Sequence, residues 1–401
     1  MTITDAHAVT ESTDDPFSAE ILENPLPFQE RLREAGSVVR LQKYGVYAMG
    51  RYDTVRSALL DWQDFQSAAG VGMTDFTREK PWRPPSLLLE ADPPHHDAPR
   101  EVLAKILSPR SIRELEPVWA DDAERLVDRL IEGPLEFDAV THLAEAFPLR
   151  VFPDAVGLPG SDRDHLLPYG DHLFNTFGPE NFLVRQGAPR APELSAWVNA
   201  QCSRESLAGT GFGADIWAAT DRGDITPAQA PLIVRSLLSA GVDTTVHAIG
   251  ALLHAFATHP DQWKALREDP RLARRAFDEA IRLESPVQTF FRTTTQDVTL
   301  DGTTIPAGHK ILMFLGSANR DPRRWERPNA FDLSRDPSGH VGFGMGIHQC
   351  VGQHVARLEA ATLVTALARR VRTIELSDRP VRHLNNTLRA WESMPVRITL
   401  D

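Results

Sequence analysis

Apolar residues recur every three or four positions along much of this chain, the spacing that places them on one helix face. The pattern predicts helices over 27–36 (PFQERLREAG), 53–62, 100–132, 261–269, 270–284 and 351–370. Alternating and β-branched runs are fewer. SVVRLQKYGVYAMG, residues 37–50, predicts a hairpin, and FFRTTT, DVTL and ILMFLG between 290 and 316 predict short strands, with Asp301-Gly302 as a turn. The expected fold class is mostly α with a small β part.

The longest predicted helix opens at Thr226-Pro227-Ala228-Gln229, a capping box with proline at the first helical position, and ends before His259-Pro260. At 1.5 Å per residue it spans roughly 48 Å, enough to cross a domain. Its centre is its weakest part. SAGVDTTVHA, residues 239–248, sets Gly241, Val242, Asp243, Thr244 and Thr245 where helix formers are expected. The plainest account is a bend, with threonine hydroxyls bonding back to the preceding turn.

Composition narrows the functional classes. A net charge of -12 argues against nucleic acid as the partner. Cys202 and Cys350 are far apart and form no CxxC, which suits a reducing cytoplasm. The polar, acidic start does not read as a signal peptide, and no window of 18 consecutive apolar residues predicts a membrane span. Residues 1–14 are expected to be a loose tail and 15–401 a single domain, since no linker or repeat interrupts them.

The most informative segment is GHVGFGMGIHQCVGQHVARLEAA, residues 339–361, where Gly342, Gly344, Gly346 and Gly352 surround Cys350 at the start of an amphipathic helix. Glycines allow backbone to approach a flat ligand. A sulfur at a helix N-terminus is favoured as thiolate. One thiolate without a second cysteine does not make a structural zinc site, but it suits one axial bond to haem iron. The run Phe343-x-x-Gly346-x-His348-x-Cys350-x-Gly352 resembles the haem-ligand loop of cytochrome P450 monooxygenases.

That resemblance implies a P450 fold, with haem b held between the long distal helix and the helix after the cysteine loop. It implies Cys350 as the iron ligand, with Phe343, Gly344 and Gly352 shaping its loop. Glu279-x-x-Arg282 resembles the family's ExxR motif, with Arg335 as third member of a buried ion-pair network. His96-x-x-x-Arg100, Arg292 and His340 match the expected propionate partners. Asp243-Thr244 matches the acid–alcohol pair, in which a hydroxyl and a carboxylate bring protons to activated dioxygen.

Several segments, among them KPWRPPSLLLEADPP, ESPVQTFFRTTT and NNTLR, resemble one bacterial group, the 4-methoxybenzoate O-demethylases. Matched residue by residue, Arg83, Ser86 and Ser236 would bind the substrate carboxylate, with Arg235 and Ser239 supporting that end. Leu89, Phe174, Phe177, Val242, Val287 and Phe290 would wall the aromatic ring. A buried carboxylate needs pairing, while the ring needs an apolar slot. Residues 180–198 match no pattern and are expected to roof the pocket.

The implied reaction is O-demethylation of 4-methoxybenzoate to 4-hydroxybenzoate and formaldehyde, using O2. Electrons would come from a ferredoxin served by an NADH-dependent flavin reductase, since the chain has neither a GxGxxG fingerprint nor an iron–sulfur cysteine set. Arg323, Arg324, His348, Arg369 and Arg370 are candidates for docking an acidic partner. Other readings are oxidation of another small apolar acid or a terpenoid, and a haem-thiolate sensor without turnover.

Overall fold

The computed structural model describes residues 9–160 and 163–401. Its centre is four packed helices, Pro109–Ile131, Asp243–Thr258, Ala273–Glu284 and Gln353–Ala368. Phe147, Phe256, Phe277, Leu252 and Leu363 are fully buried among them. The 273–284 helix buries Ala276, Phe277, Ala280 and Ile281 on one face, as its three-and-four spacing requires. Arg274 and Arg275 turn outward.

The β part lies to one side. A six-stranded sheet runs in the order Thr10–Ser12, Val39–Leu41, Val46–Met49, Lys310–Phe314, Thr289–Thr294, Phe65–Gln66. The expected hairpin is present, with Val39 opposite Ala48. So is the Asp301-Gly302 turn, joining Val298–Leu300 to Thr303–Ile305 with φ of 46° and 80° at its two residues. Residues 10–12, expected in a loose tail, instead pair in parallel with 39–41, so the ordered chain begins before residue 15.

Three helix boundaries differ from the sequence reading. The predicted 100–132 helix is two, Asp97–Ile106 and Pro109–Ile131, because Ser108 stops one and caps the other by accepting from the Ser111 N–H. The 226–258 helix begins only at Ala230; Gln229 Oε1 takes the Thr226 N–H, and the intervening residues form a turn. It is also broken, into Ala230–Ala240 and Asp243–Thr258. Together these segments are long and apolar enough to cross a membrane by composition, but 67% of the most apolar window is buried inside the protein. The helix after Cys350 starts at Gln353 rather than at the cysteine.

The expected ion-pair network is formed. Arg282 makes two hydrogen bonds to Glu279, 2.7 and 2.8 Å, and Arg335 Nε donates to the same carboxylate at 3.0 Å. Arg282 also donates to the carbonyls of Asn319, Pro328 and Ala330. Glu279 and Arg282 are wholly buried, so this network fastens the 319–335 segment to the helix beneath the cysteine loop.

Glu359, on the 353–368 helix, is the opposite case: it is fully buried, and among the described residues neither carboxylate oxygen has a partner. Burial pushes its pKa well above the usual carboxylate range. The folded state therefore binds more protons than the unfolded one once pH exceeds the unfolded value of about 4.3, and stability falls as pH rises. Glu359→Met will raise stability at pH 7 by about 1–3 kcal/mol, with a larger gain at pH 8 than at pH 5 in denaturant titrations.

Candidate active site

The break in the long helix has a local cause. A Cβ on Gly241 would stand 2.4 Å from the Phe152 ring, so only glycine fits there. The carbonyls of Ala240 and Gly241 accept from the hydroxyls of Thr244 (2.7 Å) and Thr245 (3.2 Å). The back-bonding read from the sequence is thus present, and it opens the helix wall beside a cavity of about 260 Å³. Thr244, Thr245 and Ala248 line one side of it, and Phe343, Gly344, Cys350 and Gly352 line the other.

The cysteine loop is shaped by its neighbours. A Cβ at Gly342 would meet Ile281 Cγ2 at 2.5 Å, and Gly344 adopts φ of 66°. Cys350 Sγ accepts from the N–H groups of Gly352 and Gln353, the first turn of the following helix. Burial raises the thiol pKa; those two N–H groups, with Arg100 and Arg357, work against the rise. Cys202 is buried elsewhere, its thiol pushed up to about 12 by burial, and does not line the cavity.

Cations gather at one edge of this chamber. Arg292 is buried, donates among the described residues only to the Phe291 carbonyl, and has a pKa lowered to about 10 by burial. Arg100 lines the cavity, and among the described residues neither arginine has a carboxylate within ion-pair distance. The buried Nε2 of His96 has no partner. Unpaired buried cations are costly, and an anionic group between them removes the cost. The residues therefore fit a flat cofactor with acidic arms, held by one thiolate.

His340 does not belong to this group. Its Nδ1 accepts from the Gly342 N–H, and its Nε2 lies 3.8 Å from Asp278, away from the cavity. His348 takes the place expected for it. Its ring lines the cavity, sits 4.9 Å from that of His96, and contacts Leu88 O and Asp92 Oδ1, each at 3.0 Å. His348 is consequently no surface docking residue. The other docking candidates already have partners: Arg323 pairs with Glu34 and Asp321, Arg369 with Glu124, Arg370 with Asp128, and Arg324 lies over Tyr52 and Trp325.

The far end of the cavity carries the polar group expected there, differently arranged. Arg83 is not free: its two terminal nitrogens hold Glu90 at 2.9 and 3.0 Å. Glu90 also accepts from the Ser86 N–H. Arg235, buried and without a carboxylate partner, donates to the Pro84 carbonyl at 2.7 Å. Ser86 and Ser236 hydroxyls are 3.3 Å apart, and Ser239 lies one turn on. Glu90 thus neutralises Arg83, and the charge of Arg235 is left unmatched. Tyr169 lines the same end, its phenol held neutral by burial.

Leu89, Phe174, Phe177, Val287 and Phe290 form the apolar walls between the two ends. Val242 does not: it is buried in the helical core, behind the broken turn. Residues 180–198 do not roof the cavity either. They form helices Phe182–Gly187 and Ala191–Gln201, and the covering residues come from 83–89 and 169–177. Sequence reasoning missed Glu90, Tyr169 and His348 as parts of this site. His348 stood within the cysteine motif, but a loop ion pair such as Arg83–Glu90 leaves no periodic trace.

A single thiol lining the cavity under a broken helix, with basic groups awaiting acidic arms, defines a haem-thiolate protein. The cytochrome P450 family model matches residues 219–391. Cytochrome p450 CYP199A2 of Rhodopseudomonas palustris is 54% identical over 96% of this chain and 93% of its own. Cytochrome P450 144 of Mycobacterium tuberculosis is 32% identical over 90% and 86%. Among solved structures, cytochrome P450 CREJ in complex with (4-ethylphenyl) dihydrogen phosphate superposes with a TM-score of 0.87 at 26% identity, covering 98% of this chain and all of that one. CYP109Q5 from Chondromyces apiculatus gives 0.81 at 29% identity, covering 98% and all. The chain belongs to the cytochrome P450 family, whose members are haem-thiolate monooxygenases.

Proposed function

We propose that this P450 oxidises para-substituted benzoates and O-demethylates 4-methoxybenzoate to 4-hydroxybenzoate and formaldehyde. The observation that carries the reading is the unmatched positive charge at the Arg83–Glu90–Arg235 end of an otherwise apolar cavity. A monoanion there completes the charge balance, and the serines donate to its second oxygen. Phe174, Phe177 and Phe290 then flank a flat ring and aim its para substituent toward Cys350. Position, more than bond strength, selects the atom that reacts. The similar protein CREJ is seen with a para-alkylphenyl phosphate, also an anion with an apolar para end.

Haem, when bound, supplies the iron at which dioxygen is activated. Cys350 would ligate it, and Arg100, Arg292, His96 and His348 would hold its propionates. Thr244 lines the chamber, and its hydroxyl, which donates to Ala240 O in the resting protein, would turn to donate there while Asp243 passes protons to it. Electrons come from a ferredoxin and its reductase. The two unpaired cysteines support a cytoplasmic setting. A sensor has no need of Asp243 beside the broken turn, which favours turnover.

The test supplies haem-loaded protein with ferredoxin, reductase, NADH and 4-methoxybenzoate. Equal amounts of formaldehyde and 4-hydroxybenzoate are expected. Oxidation of a neutral terpene, with none of the benzoate, contradicts the reading.

A further inference from the structure

Behind Asp243 lies a cluster of titratable groups that the reaction as described leaves unused. Asp243 does not face the cavity; its carboxylate points outward, against the 166–175 helix. There Gly170 leaves it room: a Cβ on Gly170 would lie 2.9 Å from Asp243 Cβ and 3.0 Å from Oδ2. One turn on, His247 places Nε2 2.9 Å from Asp243 Oδ1, but the angle is wrong for a hydrogen bond. Among the described residues, neither the buried Asp243 Oδ2 nor the buried His247 Nε2 has a hydrogen-bond partner.

Beyond His247 the groups become progressively exposed. Side-chain exposure is 4% for Asp243, 11% for His247, 32% for Asp171 and 36% for His383. Glu145, at the end of the π-helical turn Val140–Glu145, faces His247, Asp138, Asp243 and His383. Asp171 on the 166–175 helix hydrogen-bonds His383 at 2.6 Å and feels His247, and Glu392 faces His383 from the neighbouring strand. Acids and imidazoles from six elements thus cluster between the surface and the back of the broken turn.

We propose that His247 is the relay residue that carries protons from this surface cluster to Asp243. The inference rests on reading Asp243-Thr244 as the proton-delivering pair. In each cycle the His247 Nε2–H bond breaks as an O–H forms on Asp243. Asp243 then turns its carboxylate from the 166–175 helix toward Thr244 and gives the proton up there, and the imidazole regains one from Glu145 or from water. Burial raises the Glu145 pKa, and the hydrogen bond to the Asp171 carboxylate raises that of His383, so both hold a proton more readily than the free side chains do.

His247→Gln keeps the side chain polar and of similar size but cannot carry a proton. Product per NADH is expected to fall about tenfold, less than the roughly 100-fold or more that a positioned acid–base group supplies, because water substitutes in part for the imidazole. The solvent deuterium isotope effect on turnover should at least double, while substrate Kd and Tm stay unchanged. A second readout needs no turnover. In the carbon monoxide complex, the ring 15N shifts of His247 will move when Asp243 becomes Asn, because the two share a proton. If Asp243→Asn slows turnover while His247→Gln keeps the wild-type isotope effect, or if the ring shifts do not move, the relay is wrong and the pair stands. If Asp243→Asn changes nothing, both fall.

Discussion

Replacing Cys350 with Ala will yield a folded protein that has lost all monooxygenase turnover and the red-shifted thiolate band of its carbon monoxide complex. The fold does not depend on the sulfur. The loop is positioned by Gly342 against Ile281, by the Cys350 N–H donating to Phe343 O, and by the Glu279–Arg282–Arg335 network. Alanine keeps the backbone hydrogen bond and removes a thiol whose burial is unfavourable to its anion. What disappears is the donor that favours O–O cleavage. Optical spectra with and without carbon monoxide, beside a thermal melt, check both halves. A variant with an unchanged thiolate band would place the iron on another residue.

The second large effect is expected at Arg235. It is buried, faces Arg83 across the polar end, and has no carboxylate of its own. Burial and then the neighbouring Arg83 lower its pKa, so the free protein holds this charge at a cost. Arg235→Met relieves that repulsion and should raise Tm slightly. The same change leaves a bound carboxylate without its partner. Breaking a buried charge pair costs about 3–5 kcal/mol, so 4-methoxybenzoate should bind roughly 100-fold more weakly or worse. Arg83→Met is the less informative variant, because it strands Glu90 as a buried anion and damages the loop itself.

Much of the site was legible because its motifs are local. The cysteine loop, the Glu279–Arg282 spacing and the Thr244 back-bond each depend on residues within a turn or two of one another. The helix pattern failed where two signals overlapped: apolar periodicity continues through Ser108-Pro109 and Gly241-Val242, although capping and a Phe152 contact break the backbone there. Residues 191–201 bury only Leu194 and Val198, too sparse a stripe to announce a helix. The roles of His340 and His348 depended on which way a loop turns, and that is set by Asp278 and Asp92, distant in sequence. Neutralisation of Arg83 by Glu90 also lay beyond any local pattern, and it moves the unmatched charge to Arg235.

That unmatched charge is what the substrate assignment rests on, and a four-corner binding cycle measures it. Calorimetry of the haem-loaded wild type and Arg235→Met with 4-methoxybenzoate and with 4-methoxybenzamide isolates the carboxylate–guanidinium coupling. The account predicts that the wild type prefers the acid by roughly 100-fold and that the variant loses nearly all of that preference. Equal affinity of the wild type for acid and amide would contradict it.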